Sequence, residues 1–241
     1  MELRWHRLGW AVLLLAVAGC EGQRRDFDET PSTAQTTSPA PPAAEVPTTP
    51  GARRLPSALE KAEDASEDVQ DEIKDADWDD AAEKTRKLQM LSDSLRQAGI
   101  AAAEVSAYDS AVAALAQGVQ SRDRVAAGIA ANKVNRLVLG MMADYEVEVP
   151  IEVRQMKVDN RDVVYRAAAG EWGEAEKAVE RMRSNYQKVQ AQVAQRDANL
   201  DARVRSAIEQ LGTAVQQKNE AALTTAAERV HDELEAVEGA F

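Results

Sequence analysis

Histidine and cysteine are nearly missing from this chain. Among 241 residues there are two histidines and one cysteine. One cysteine excludes an internal disulfide. With His6 near the start, only His231 serves the body of the chain, too few nitrogen and sulfur ligands for a zinc site. Aromatic residues make up 4%. Basic residues are also in deficit, 29 Lys and Arg against 41 Asp and Glu, for a formal charge of −12. That balance argues against nucleic acid, which needs a basic stripe, and against a polybasic grip on anionic lipid. No G-x-S-x-G elbow and no glycine-rich phosphate loop occurs. Strand signals are confined to Glu146-Val-Glu-Val149, too short to form a sheet alone.

Six of the eight prolines fall between positions 31 and 50. After Pro56 the strong helix formers Ala, Glu, Gln, Lys, Arg and Leu take over. Leu59, Ala62, Ser66, Val69 and Ile73 step by three and four, and Ser57 with Glu60 forms a capping-box pattern. Asp77 reads as the cap of a second helix carrying Trp78, Ala81, Thr85, Leu88, Leu91 and Leu95, stopped by Gly99. A third helix carries Val105, Tyr108, Val112, Leu115 and Val119. A fourth carries Ala127, Ala131, Val134, Val138, Met141 and Tyr145. The pattern then starts over. A shift of 94 places Pro56 on Pro150, Trp78 on Trp172 and Leu88 on Met182, and a shift of 96 places Leu115 on Leu211 and Val134 on Val230. The two extra residues fall near 194–199, where a loop is expected to absorb them. Trp172, Ala175, Val179, Met182, Tyr186, Val189 and Val193 keep a 3-4 step, as do Leu223, Ala227, Val230, Leu234, Val237 and Phe241. That period is the seam of a helical bundle. The expected fold is all-α: two tandem up-down-up-down four-helix units, 56–145 and 150–241, from an internal duplication, joined by an extended connector at 146–149.

The first 55 residues read differently. Arg4, His6 and Arg7 precede an apolar run from Leu8 to Val17, which is short of the roughly 20 residues that span a bilayer. Val17-Ala18-Gly19-Cys20 resembles the bacterial lipobox. The resemblance implies cleavage between Gly19 and Cys20 of a 1–19 signal peptide and acylation of Cys20, a membrane anchor through lipid. Glu21, not Asp, follows the cysteine, which in that family points to the outer membrane facing the periplasm. Residues 20–55 are rich in Pro, Thr, Ser and Ala and are expected to form a disordered tether.

Chemistry was sought and none is assigned: no catalytic, cofactor-binding or metal residues are expected. A unit of this length resembles the soluble four-helix cytochrome b family, whose haem ligands would fall at Met156 and near His231. His231 lies mid-helix rather than at the helix end, and Ala62 and Asn135 stand at the equivalent positions of the first unit. Glu228-x-x-His231 has di-iron spacing, but that site needs the motif twice. Asp75-x-Asp77-x-Asp79 resembles the opening of a calcium loop, with Asp80 in place of the turn glycine and Arg86 in place of the bidentate Glu. The run Asn132…Leu137…Tyr145…Val149-Pro150-x-Glu152-Val153…Arg161-Asp162 resembles a hinge in uncharacterised bacterial exported helical proteins. It implies architecture only, with Arg161 and Asp162 as residues that could pin the two units.

The charge is uneven. Residues 56–149 carry 19 acids to 10 bases, and residues 150–241 carry 16 to 13. Eleven acids crowd into 60–80, beside only Lys61 and Lys74. A solvated helix face and a docking face for a basic protein both fit that run. The expectation is a non-enzymatic, lipid-anchored interaction module of the cell envelope. The alternatives are a haem or small-molecule carrier using the bundle core, and a holdase-type chaperone of the periplasm.

Overall fold

The computed structural model describes residues 53–241. Gly19, Cys20, the signal segment and the tether up to residue 52 lie outside the described residues. Within them the chain is all-α apart from two short strands. The order is β1 (Arg53–Arg54), α1 (Ser57–Asp75), α2 (Trp78–Met90), α3 (Ser92–Gln97), α4 (Ala102–Ser121), α5 (Arg124–Met142), β2 (Tyr145–Glu146), α6 (Ile151–Ala168), α7 (Trp172–Arg196), α8 (Ala198–Gln216) and α9 (Glu220–Glu238). No described helix is long and apolar enough to cross a membrane.

Two rings of helices follow from the short connections. α1 packs on α2, α2 on α4, α4 on α5, and α5 closes back on α1. Then α6 packs on α7, α7 on α8, α8 on α9, and α9 closes on α6. Each ring has its own core. The first holds Leu59, Val69, Ile73, Leu88, Tyr108, Leu115 and Val138. The second holds Val153, Met156, Met182, Tyr186, Leu211, Val230 and Leu234. Leu88 and Met182 are both fully buried, as are Leu115 and Leu211. Trp78 and Trp172 are half-buried, each packed on the core of its own ring. Burying one such large side chain contributes about 1.5–3 kcal/mol, so these seams dominate the stability of each ring.

The turns match as closely as the seams. α1 and α6 each begin after a proline with extended ψ, Pro56 and Pro150. The carbonyl of each accepts from the amide three residues on, Leu59 or Val153, at 2.9 Å in both cases. Ser57 is thus already helical and makes no cap hydrogen bond, so the expected capping box does not form; the fixed φ of Pro56 sets the entry instead. Ala76 and Gly170 both adopt positive φ. Around them Asp77 N–H donates to Glu72 O and Glu171 N–H to Arg166 O. Arg122 and Lys218 repeat the device at φ 53° and 51°. There Asp123 N–H donates to Gly118 O and Asn219 N–H to Ala214 O. Each is a Schellman-type stop. The Asp77 cap is present, with Asp80 N–H donating to its carboxylate at 3.3 Å.

Three differences from the sequence reading have local causes. The second helix is interrupted at Leu91, where the amide bonds Leu88 O, a tighter turn than α-helical. At the break the Ser92 hydroxyl donates across to the Asp109 carboxylate of α4, with Gln89 O also near its oxygen. The break between α7 and α8 falls within 194–199, as expected, but it is a single residue: α7 runs to Arg196 and Asp197 alone joins it to α8, its carboxylate accepting from Asn199 and Leu200 N–H. Finally, Arg53 and Arg54, assigned to the tether, pair in parallel with Tyr145 and Glu146.

Candidate functional site at the joint between the rings

α5 packs on α6, and this contact unites the two rings. It explains why α6 keeps the 3-4 seam less cleanly than its counterparts. Val153, Met156 and Val163 face the second core, while Ile151 and Val158 belong to the first. A helix buried on two sides needs small or paired groups where its neighbours come close. Gly128 of α5 supplies the close approach: a Cβ there would sit 2.3 Å from the Tyr165 ring of α6.

Charge fills the rest of the joint. The Asp159 side chain has no exposure at all, and Asp162 has 11%. Arg136 of α5 donates to Asp159 at 2.7 Å and to Asp162 at 3.2 Å. Arg181 of α7 donates to the same two carboxylates at 2.8 and 2.7 Å. Asn185 and Arg166 complete the set. Two buried anions are thus held between arginines from both rings. Removing one member of such a cluster strands a buried charge. Asp162, one of the two residues that could pin the units, lies buried in this joint. Arg161, expected beside it, makes no ion pair among the described residues, where its enclosed Nε and Nη2 find no hydrogen-bond partner. Burial pulls its pKa down, against the opposing charges of Glu67, Tyr165, Asp71 and Glu63.

On the α1 side of the joint, Arg154 of α6 meets Glu63 at 3.0 Å. Burial raises the Glu63 pKa, and Arg154 works against that rise. Lys157 of α6 bridges to Glu235 and Glu238 of α9, at 2.8 Å each. Burial alone would lower the Lys157 pKa; these two carboxylates outweigh it and the pKa is raised. Beside Arg154 a groove of about 710 Å³ is lined by Arg54, Leu55, Glu60, Glu63, Asp64, Met142, Glu146, Val147 and Glu148. Its lining is mostly charged, unlike the apolar walls of small-molecule pockets.

The acidic run of 60–80 lies along α1, its turn and the start of α2. Glu60, Asp64, Asp68, Asp71, Asp75, Asp77, Asp79 and Asp80 are exposed, and Glu67 and Glu72 are half-buried. Glu63 alone is turned in. Lys84 offsets Asp68. The rest is weakly neutralised, and carboxylate oxygens of Glu72, Asp77 and Asp80 lie within 4.8 Å of one another. Partial desolvation, then Asp80 and Asp77, push the Glu72 pKa up. Of the Asp75-x-Asp77-x-Asp79 run, only Asp77 belongs to this group, and its carboxylate also accepts from Asp80 N–H as the cap of α2.

The candidate haem ligands do not share an environment: Met156 is fully buried and His231 is exposed on α9 beside Glu235. Residues not singled out from the sequence are Arg136, Arg154, Asp159 and Arg181. A signal was present: Ile151, Val158 and Tyr165 form a second seven-residue row on α6, the mark of a second buried face. Compared with known proteins, the chain matches no family model, no curated protein and no solved structure.

Proposed function

We propose that this protein is a non-enzymatic, lipid-anchored module of the cell envelope that presents a joined pair of helical bundles to a basic protein partner. The observation that carries the reading is the exposed, poorly neutralised row of carboxylates along α1 and the start of α2. Such a face attracts a basic protein and speeds its approach at low ionic strength. The charge is concentrated on one ring while the seams of both are alike, as expected if a bundle was duplicated and one copy then specialised for contact. That duplication is part of the proposal; the matching turns and buried positions support it.

The anchor rests on Val17-Ala18-Gly19-Cys20. Acyl chains on Cys20 would hold the bundles at the membrane surface, on the periplasmic side of the outer membrane given Glu21. The test is a mass spectrum of the mature N-terminal peptide with membrane fractionation of Cys20→Ala. Acylated Cys20 and release of the variant from membranes are expected; an unmodified Cys20, or a different mature N-terminus, overturns the anchor. Partner capture from crosslinked membranes tests the rest, with charge reversal of Asp68 and Asp71 expected to abolish it.

A further inference from the structure

The groove beside the strand pair has an order that the open face of α1 lacks. α1 contributes Glu60, Glu63 and Asp64, and the connector contributes Glu146, Val147 and Glu148. Among the described residues Arg54 and Arg154 are the bases of the lining, and Arg154 is already committed to Glu63 at 3.0 Å. The connector is held in place by its valines. Val147 packs on the first core and Val149 on the second. That alternation leaves Glu146 and Glu148 exposed, both lining the groove. The chain is extended at Tyr145–Glu146 and bends at Glu148–Val149; up to that bend, alternate residues lie about 6.6–6.8 Å apart on one side. A second extended chain repeats that spacing; a helix, which brings residues three and four apart together, does not. Leu55 and Val147, both half-buried, add apolar surface for the stems of long basic side chains.

We propose that this groove docks an extended cationic segment of the partner protein, with Lys or Arg at alternate positions meeting Glu146 and Glu148. The proposal rests on the reading of a basic partner and adds where, and in what conformation, it is gripped. Charge complementarity selects the occupant: with the Glu63–Arg154 pair set aside, four carboxylates face Arg54 among the described residues.

Fluorescence anisotropy on the full chain tests it, with two labelled peptides of equal composition. One alternates Arg with Gly and Ser; the other carries the same arginines as one block. The alternating peptide should bind more tightly, and weaken as salt rises. The double variant Glu146→Lys/Glu148→Lys should weaken it roughly tenfold, an effect of several rim charges acting together. As a control for net charge, Asp75→Lys/Asp79→Lys on the open acidic face should weaken it by a smaller factor than the groove variant does. Far-ultraviolet circular dichroism checks that both variants keep their helices. Equal binding of the two peptides, equal loss in the two variants, or no binding of either peptide overturns the proposal. Loss in the control alone also overturns the groove, while leaving the acidic face as the contact.

Discussion

Gly118 shows how one residue decides the sign of a substitution. It lies in the last turn of α4, and a Cβ there would meet the Ala127 backbone of α5 at 2.7 Å. Gly→Ala inside a helix ordinarily gains up to about 1 kcal/mol. Here backbone, not a movable side chain, is in the way, so Gly118→Ala should destabilise by about 1–3 kcal/mol in urea denaturation. Asp201 makes a comparable case for pH. Burial pushes its carboxyl up, but hydrogen bonds from Arg205 and Tyr186 outweigh that, and its pKa lies below the ordinary aspartate value. A lowered carboxylate stabilises the fold above its unfolded pKa, about 3.9, and that contribution fades as pH falls through the folded value. Asp201→Asn should therefore be less stable than the parent at pH 7. The gap should close progressively below about pH 4, which thermal unfolding across pH will show.

At the scale of helices, the two rings make matched predictions. Leu88 and Met182 are fully buried at corresponding places in α2 and α7. Leu88→Ala and Met182→Ala should each cost about 2–5 kcal/mol, measured by denaturant titration. Helical content was legible in the sequence because a 3-4 step survives wherever a helix has one buried side, and Val179, Met182, Tyr186, Val189 and Val193 are all buried as that step requires. The step blurs on α6 because two cores compete for it. The break at Leu91 was not legible, since Ser92 bonds Asp109 on another helix. The place of the α7–α8 break, within 194–199, was legible; that Asp197 alone ends one helix and caps the next was not. At the joint, Asp159 reads as surface charge until Arg136 and Arg181 arrive from helices far apart in sequence.

The whole molecule depends on that joint. Asp159 and Asp162 tie α6 to α5 of one ring and α7 of the other. Replacing both Arg136 and Arg181 by Ala leaves a buried carboxylate without its cations, at a cost of roughly 3–5 kcal/mol. Because each ring keeps its own core, the loss should uncouple them. Calorimetry should resolve two transitions in the double variant where the parent shows one. Uncoupling would also disturb the groove, since Val147 and Val149 fix its connector to different cores.

On the function proposed above, a basic protein is held by the acidic side of the first ring. Site-specific photocrosslinking in native membranes tests it most directly, with the crosslinker placed at Asp64, Asp71 or Asp75 and, for comparison, at His231. These four side chains are exposed, so each reports on its own face. The account predicts one repeatable adduct with a basic protein from the α1 positions, lost when Asp68 and Asp71 are changed to Lys, and no such adduct from His231. Equal adducts from both faces, or an α1 adduct that survives the charge reversal, would contradict it.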